Sequence, residues 1–182
     1  TSRPHRGLLV LLVVLAAVVL VVDQVTKVLA VEFLTDAGYV PLLGEFFGLR
    51  LVYNPGAAFS FATGITWVLA LITIGVVVVI ARLAPKIASR PWAVVLGLLL
   101  GGALGNLIDR LFRAPGPLRG HVVDFLDYYT FFVGNVADIA IVVAALGMMW
   151  LTLRGVEITA EGVSEGSGEE PVATDHEPGP AR

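Results

Sequence analysis

The chain has 182 residues, of which 57% are hydrophobic and only 15% charged, with a mean hydropathy of +0.86. Average soluble chains carry roughly 25% charged residues, so this composition excludes a soluble α/β enzyme, a disordered hub and a nucleic-acid binder. It describes one domain-sized membrane protein. With no Cys there is no disulfide framework, thiolate metal site or cysteine nucleophile. The net charge of -3 is unevenly spread: residues 1–154 hold 11 Lys/Arg against 8 Asp/Glu, and residues 155–182 hold 1 against 7.

A spanning helix needs about 20 mostly apolar residues. Leu8 to Val22 is unbroken Leu/Val/Ala, and its helical pattern continues through Asp23 to about Leu29. Arg3, Arg6, the apolar run and Val28-Leu29-Ala30 also have the outline of a cleavable signal. The run is long for one, however, and Asp23, Gln24 and Lys27 would crowd the cut. Asn54-Pro55-Gly56 then breaks the chain, leaving a second span over Ile65–Ala81. A third is predicted over Trp92–Ile108 and a fourth over Phe132–Leu153. The segment 155–182, rich in Gly, Glu and Pro, reads as a disordered acidic tail.

Short-loop charges orient the spans. Arg3 and Arg6 precede the first helix, and Arg82, Lys86 and Arg90 fill the second link. Both termini are therefore expected on the cytoplasmic side, with residues 30–64 and 109–131 outside, although Arg110, Arg113 and Arg119 run against that bias.

On this topology the unusual polar residues share one depth. Asp23 and Lys27 lie at the outer end of the first helix, four apart, and Asn54 and Phe59 precede the second. Asn106, Asp109 and Arg110 end the third, Asp124 lies in the outer loop, and Asn135 and Asp138 open the fourth. Each has a bland reading. Asp23 and Lys27 form an interfacial salt bridge, Asn106 and Arg110 cap and anchor a helix end, and His121 is an interfacial polar residue. Gly101, Gly102 and Gly105 allow close helix packing, and Tyr128, Tyr129, Phe131 and Phe132 form an aromatic belt. Asp138 differs, because an ionisable group within a span costs several kcal/mol unless it is paired.

Two carboxylates in one site cannot both ionise cheaply and come to share a proton, which suits one to general base and the other to general acid catalysis. Asp109 beside Arg110 is the more natural permanent ion pair, which leaves Asp124 as the better partner for Asp138. The same pair would serve a small proton-coupled transporter with Asp138 as relay, and a scaffold could use the polar layer to bind a partner. The transporter predicts ionisable groups at several depths and often internal repeats, and the sequence has one polar layer and no repeat. A Ser60–Lys27 dyad lacks supporting spacing, and His5, His121 and His176 make no metal set.

Five ordered motifs carry a resemblance: Asp23-Gln24-x-x-Lys27, Asn54-Pro55-Gly56-Ala57-Ala58-Phe59, Gly101-Gly102-x-x-Gly105-Asn106-x-x-Asp109-Arg110, Val122-Val123-Asp124-Phe125 and Asn135-x-Ala137-Asp138. In order and rough spacing, residues 7–153 resemble bacterial lipoprotein signal peptidase, signal peptidase II. The resemblance implies an all-α membrane protein of four transmembrane helices, with a small extracytoplasmic β-structured lobe between helices 1 and 2. It implies a four-helix peptidase domain, taken here as 1–154; the acidic tail after Arg154 is not part of the family pattern.

The implied activity is aspartyl endopeptidase cleavage of signal peptides from diacylglyceryl-modified prolipoproteins, before the lipidated cysteine, in the inner membrane near its outer face. Asp124 and Asp138 match the catalytic positions, Asn54, Asn106, Asp109, Arg110 and Asn135 the substrate-binding ones, while Asp23, Lys27 and Gly105 stand as structural support. The implied partners are prolipoproteins, membrane lipid and globomycin-type inhibitors, with no metal, cofactor or nucleic acid. Two departures stand out: Gly134 where many members have Phe, and Ile139 where a small residue often follows the last Asp.

Overall fold

Four glycines on one helix decide how closely the others approach. In the computed structural model, which describes residues 3–56, 66–129 and 131–159, the central helix is α3 (Arg90–Phe112). It packs against α1 (Arg3–Leu34), α2 (Thr66–Leu83) and α4 (Val136–Leu153). All four are long and apolar enough to cross a membrane. A Cβ on Gly101 would meet the Ala16 carbonyl oxygen of α1 at 2.7 Å, and one on Gly102 the Ala137 carbonyl oxygen of α4 at 2.6 Å. Between lipid-facing helices there is little hydrophobic drive to associate, so this close approach supplies the packing. The packing role read for Gly101, Gly102 and Gly105 agrees with these contacts.

Helix ends differ from the sequence reading in one instructive place. The fourth helix begins at Val136, four residues after the expected Phe132, because Val133–Gly134 form strand β4 and Asn135 caps the helix. The apolar count cannot see that switch, since Phe132 and Val133 are as hydrophobic as a span. The 32-residue α1 extends about 48 Å at 1.5 Å per residue, more than the ~30 Å hydrocarbon layer.

The sheet completes the polar end. Strands β1 (Val40–Leu43) and β2 (Phe47–Asn54) come from the α1–α2 connection, and β3 (Val122–Asp127) and β4 from the α3–α4 connection. They pair antiparallel in the order β1-β2-β3-β4, with Val52 opposite Asp124 and Leu126 opposite Gly134. The expected lobe between helices 1 and 2 is thus only half of the sheet. Phe125 seats it on Ala30 and Leu34 of α1.

At the opposite end, the chain after α4 packs back onto the helices. Trp92 donates through Nε1 to the Val156 carbonyl at 2.7 Å, and the Ala88 N–H donates to the Ile158 carbonyl at 2.9 Å. Residues 155–159 therefore belong to the packed body, which corrects the tail boundary set at 155. Ala57, Ala58, Phe59, Ser60, His176 and the rest of the acidic segment lie outside the described residues.

Gly101→Ala is expected to lower the thermal stability of the detergent-solubilised protein by about 1–3 kcal/mol, the cost of overpacking a close contact. A Tm unchanged from wild type would show that α1 and α3 are not held at this separation.

Candidate active site

Site geometry starts from a buried cation. Lys27 has no exposed surface; its Nζ lies 2.8 Å from Asp23 Oδ2, 2.9 Å from Asp109 Oδ2 and 3.0 Å from Asn106 Oδ1. Those three acceptors use all three ammonium donors. The Asp23–Lys27 pair is present as expected, but the cations on Asp109 are Lys27 and Arg113, whose Nε is 2.7 Å from Asp109 Oδ1, and not the adjacent Arg110. Successive helical residues point apart, whereas residue i+4 shares the face. Asp109 Oδ2 also accepts from the Val123 N–H at 3.1 Å, tying the end of α3 to β3.

Asp23 reaches a third helix. Its Oδ1 accepts from the Ala137 N–H at 2.9 Å, in the first turn of α4, where unpaired N–H groups and the helix dipole favour a carboxylate. Gly105 makes room for it, since a Cβ there would lie 2.5 Å from Asp23 Oδ2. Gln24 donates through Nε2 to the Gly105 carbonyl at 3.1 Å and to Asp23 Oδ2 at 3.2 Å. Gln24 and Arg113 are the supporting residues that the sequence reading omits. Both stand at signal-bearing spacings, Gln24 inside the first motif and Arg113 four residues after Asp109.

Three asparagines connect this cluster to the two candidate carboxylates. Because Lys27 can only donate, Asn106 must present its oxygen there, which turns Nδ2 onto Asp138 Oδ1 at 2.9 Å. Asn135 accepts from the Asp138 N–H at 3.0 Å as the α4 cap, so its Nδ2 points to Asp124 Oδ1 at 2.6 Å and Asn106 Oδ1 at 3.1 Å. Asn54, the last residue of β2, accepts from the Gly56 N–H at 2.8 Å and donates to Asp124 Oδ2 at 2.8 Å. Asp138 completes the capping box by accepting from the Asn135 N–H at 3.1 Å. Asp124 and Asp138 are thus held side by side through shared amides.

Asp124 is only 2% exposed. Burial pushes its carboxyl up to about 6, and the Asp138 charge adds to this against the hydrogen bonds from Asn54 and Asn135. Arg110 donates through Nη1 to the Asn106 carbonyl at 3.2 Å and faces the charges of Asp138, Asp124 and Asp109. Its buried Nε has no partner among the described residues. His121 stands apart from these contacts, lining a separate cavity with Tyr53, Arg113 and Ala114. All the expected site residues therefore belong to one connected cluster. Among the described residues no group of His, Cys, Asp and Glu has the makings of a metal site.

Comparison with known proteins gives the family. The profile of the signal peptidase (SPase) II family matches residues 15–154. The chain belongs to the signal peptidase II family. It is 53% identical over 161 residues to the lipoprotein signal peptidase of Mycobacterium avium, covering 88% of each chain. It is also 53% identical over 147 residues to that of Rhodococcus jostii, covering 81% of this chain and 74% of the relative. A solved bacterial membrane enzyme superposes with a TM-score of 0.68 at 28% identity, over 78% of this chain and 92% of that one. The protein is accordingly a multi-pass membrane peptidase of the kind that processes lipoprotein signal peptides.

Lys27→Met would leave two buried carboxylates facing an apolar side chain, and a loss of about 3–5 kcal/mol is expected. Lys27→Met/Asp23→Asn should recover part of that loss, because an asparagine at position 23 still offers a carbonyl oxygen to the Ala137 N–H. Melting curves of both variants in detergent check this. Equal Tm values for wild type and Lys27→Met would remove the ion cluster as a structural determinant.

Proposed function

We propose that this signal peptidase II is an aspartyl endopeptidase in which Asp124 and Asp138 together activate water against the scissile amide. The observation that carries the reading is the convergence of two carboxylates from different elements on one set of amide donors. A charge count supports a single shared proton. With Asp124 protonated, the charges of Asp23, Asp109 and Asp138 balance those of Lys27, Arg110 and Arg113, so the site is neutral although largely desolvated.

In this mechanism the Asp138 carboxylate takes a proton from the attacking water while Asp124 donates its proton to the carbonyl oxygen. Collapse of the resulting gem-diol returns a proton to the leaving amine. Arg110, Asn54, Asn106 and Asn135 hold the extended substrate strand, and the Arg110 Nε, without a partner among the described residues, suits a substrate carbonyl. The substrate is a diacylglyceryl-modified prolipoprotein cut before its lipidated cysteine, with the acyl chains in the bilayer against apolar helix faces. The site lies near the outer face of the inner membrane, both termini being cytoplasmic, as the Lys/Arg distribution supports. Globomycin-type inhibitors are expected to occupy the same site.

Asp124→Asn and Asp138→Asn should each abolish cleavage of a diacylglyceryl-modified precursor in a gel-shift assay. The Asp124 variant sets one NH2 against the amides of Asn54 and Asn135, at a cost of about 1–3 kcal/mol, so its Tm is recorded alongside. Wild-type turnover in either folded variant would remove that carboxylate from the mechanism.

The pH profile has a definite sign. A proton held on Asp124 up to about pH 6 means that kcat/KM falls as pH rises through that value. The Asn54 hydrogen bond favours the ionised form, so Asn54→Ala should move this limb to higher pH. A limb that stays in place, or moves down, would contradict the proton assignment.

A further inference from the structure

Five cations outside the polar cluster collect at the opposite end of the bundle. Arg6 on α1, Arg82 in the last turn of α2, Lys86, Arg90 at the start of α3 and Arg154 after α4 are opposed there by a single carboxylate, Glu157, among the described side chains. Ion pairs among the described residues belong to Lys27, Arg50 and Arg113, so none of these five is paired there. A basic group beside the ends of spanning helices attracts acidic lipid headgroups, and a pocket between such helices gives one headgroup a fixed place.

Such a pocket is present. Arg90 lines a cleft of about 400 Å³ between α3 and α4, within the size range of small-molecule sites. Its other walls are apolar, with Val94 and Val95 from α3 and Gly147, Trp150 and Leu151 from α4. Arg90 and Val94 lie four residues apart, and Gly147 lies three and four residues before Trp150 and Leu151, so each helix offers one face to the cleft. Gly147 sets its floor, because a Cβ there would lie 2.5 Å from Val95 Cγ1 and push the two helices apart. Val94 and Trp150 are exposed on the outer surface of the bundle, so the cleft opens on the lipid-facing side. Arg154 adds a second cation beside it, with its guanidinium 4.4 Å from the centre of the Trp150 ring.

We propose that this cleft binds one acidic phospholipid of the adjoining leaflet, with its phosphate on Arg90 and an acyl chain along Val94, Gly147 and Trp150. A cationic rim above apolar walls matches an amphiphile with an anionic head. A zwitterionic lipid would bring its own cation to Arg90 and Arg154, and a free anion would leave the walls empty. An apolar partner helix would cover the walls but offer nothing to two unpaired guanidinium groups. The cleft lies at the far end of the helices from Asp124 and Asp138, so it stands independently of the proposed chemistry. In the orientation that the Lys/Arg distribution supports, the leaflet is the cytoplasmic one.

The test uses the full chain, delipidated in detergent, and reads Tm against added phosphatidylglycerol, phosphatidylcholine with the same acyl chains, or inorganic phosphate. A ligand that binds only the folded state raises Tm. Phosphatidylglycerol should raise it by about 5 °C at saturation, and the other two should leave it nearly unchanged. Arg90→Gln should increase the half-saturating phosphatidylglycerol concentration about tenfold, through loss of a charge-assisted contact. Val94→Phe, which fills the cleft and keeps Arg90, should weaken binding similarly. Arg82→Gln removes an equal charge at the same end but outside the cleft, and should leave the titration in place. Each titration starts from the variant's own lipid-free Tm. An equal rise with phosphatidylcholine overturns the headgroup selection, and an equal rise with inorganic phosphate overturns the acyl contact. No rise with phosphatidylglycerol, or equal weakening by Arg82→Gln and Arg90→Gln, overturns the site.

Discussion

The structure depends on a single buried ammonium. Lys27, in the C-terminal half of α1, cannot exist uncompensated away from water, because desolvating an isolated cation costs far more than one domain's stability. Asp23 on the same helix and Asp109 on α3 neutralise it, both without exposed surface. This requirement sets the register between α1 and α3, since a slide of one helical turn would part Lys27 from Asp109. Asp23 extends the constraint to α4 through the Ala137 N–H, and Asp109 extends it to β3 through the Val123 N–H. Buried ion clusters are seldom a net source of stability. Here the cluster works as a registration device.

The second consequence concerns orientation. An asparagine has a donor end and an acceptor end, and nothing intrinsic chooses between its two flips. Lys27 chooses for Asn106, the α4 N-terminus for Asn135, and the Gly56 N–H for Asn54. Each choice leaves an NH2 pointing at Asp124 or Asp138. For the proposed dyad, dipoles preset in this way need not reorganise when charge moves during the reaction, which is the main way a desolvated active site lowers a barrier.

Much of this was legible in the sequence, for identifiable reasons. Four spans were readable because crossing hydrocarbon imposes a length and an apolarity that few other structures share. The polar cluster was readable because polar residues in such a chain are expensive, so their grouping at one end of the expected spans already carried meaning. The partners were not. Adjacency suggested Arg110 for Asp109, while the three-dimensional answer is Lys27 and Arg113. The contact with Lys27 joins two helices far apart in the chain, which no local pattern reports. The β3–β4 half of the sheet was equally hidden, because Phe132 and Val133 fit an apolar span as well as they fit a turn and a strand.

The split origin of the sheet follows from the same physics as the ion cluster. A two-stranded hairpin between α1 and α2 would be marginal by itself in water and would leave β2 with a free edge. Pairing β2 with β3 satisfies that edge and places Asn54 two residues beyond Val52, whose partner is Asp124. One ladder thus stabilises the lobe and also brings the Asn54 amide within 2.8 Å of the Asp124 carboxylate. Asp124 owes its position to two attachments, the ladder on one strand edge and the Val123–Asp109 hydrogen bond from the helix below. Asp138 is fixed by the capping box at the start of α4 and by Asn106. Asn135 joins the two anchors, since it caps α4 and also donates to Asp124 at 2.6 Å. The strand ladder and the helix cap thus position the two carboxylates from different elements, and one shared amide keeps them adjacent.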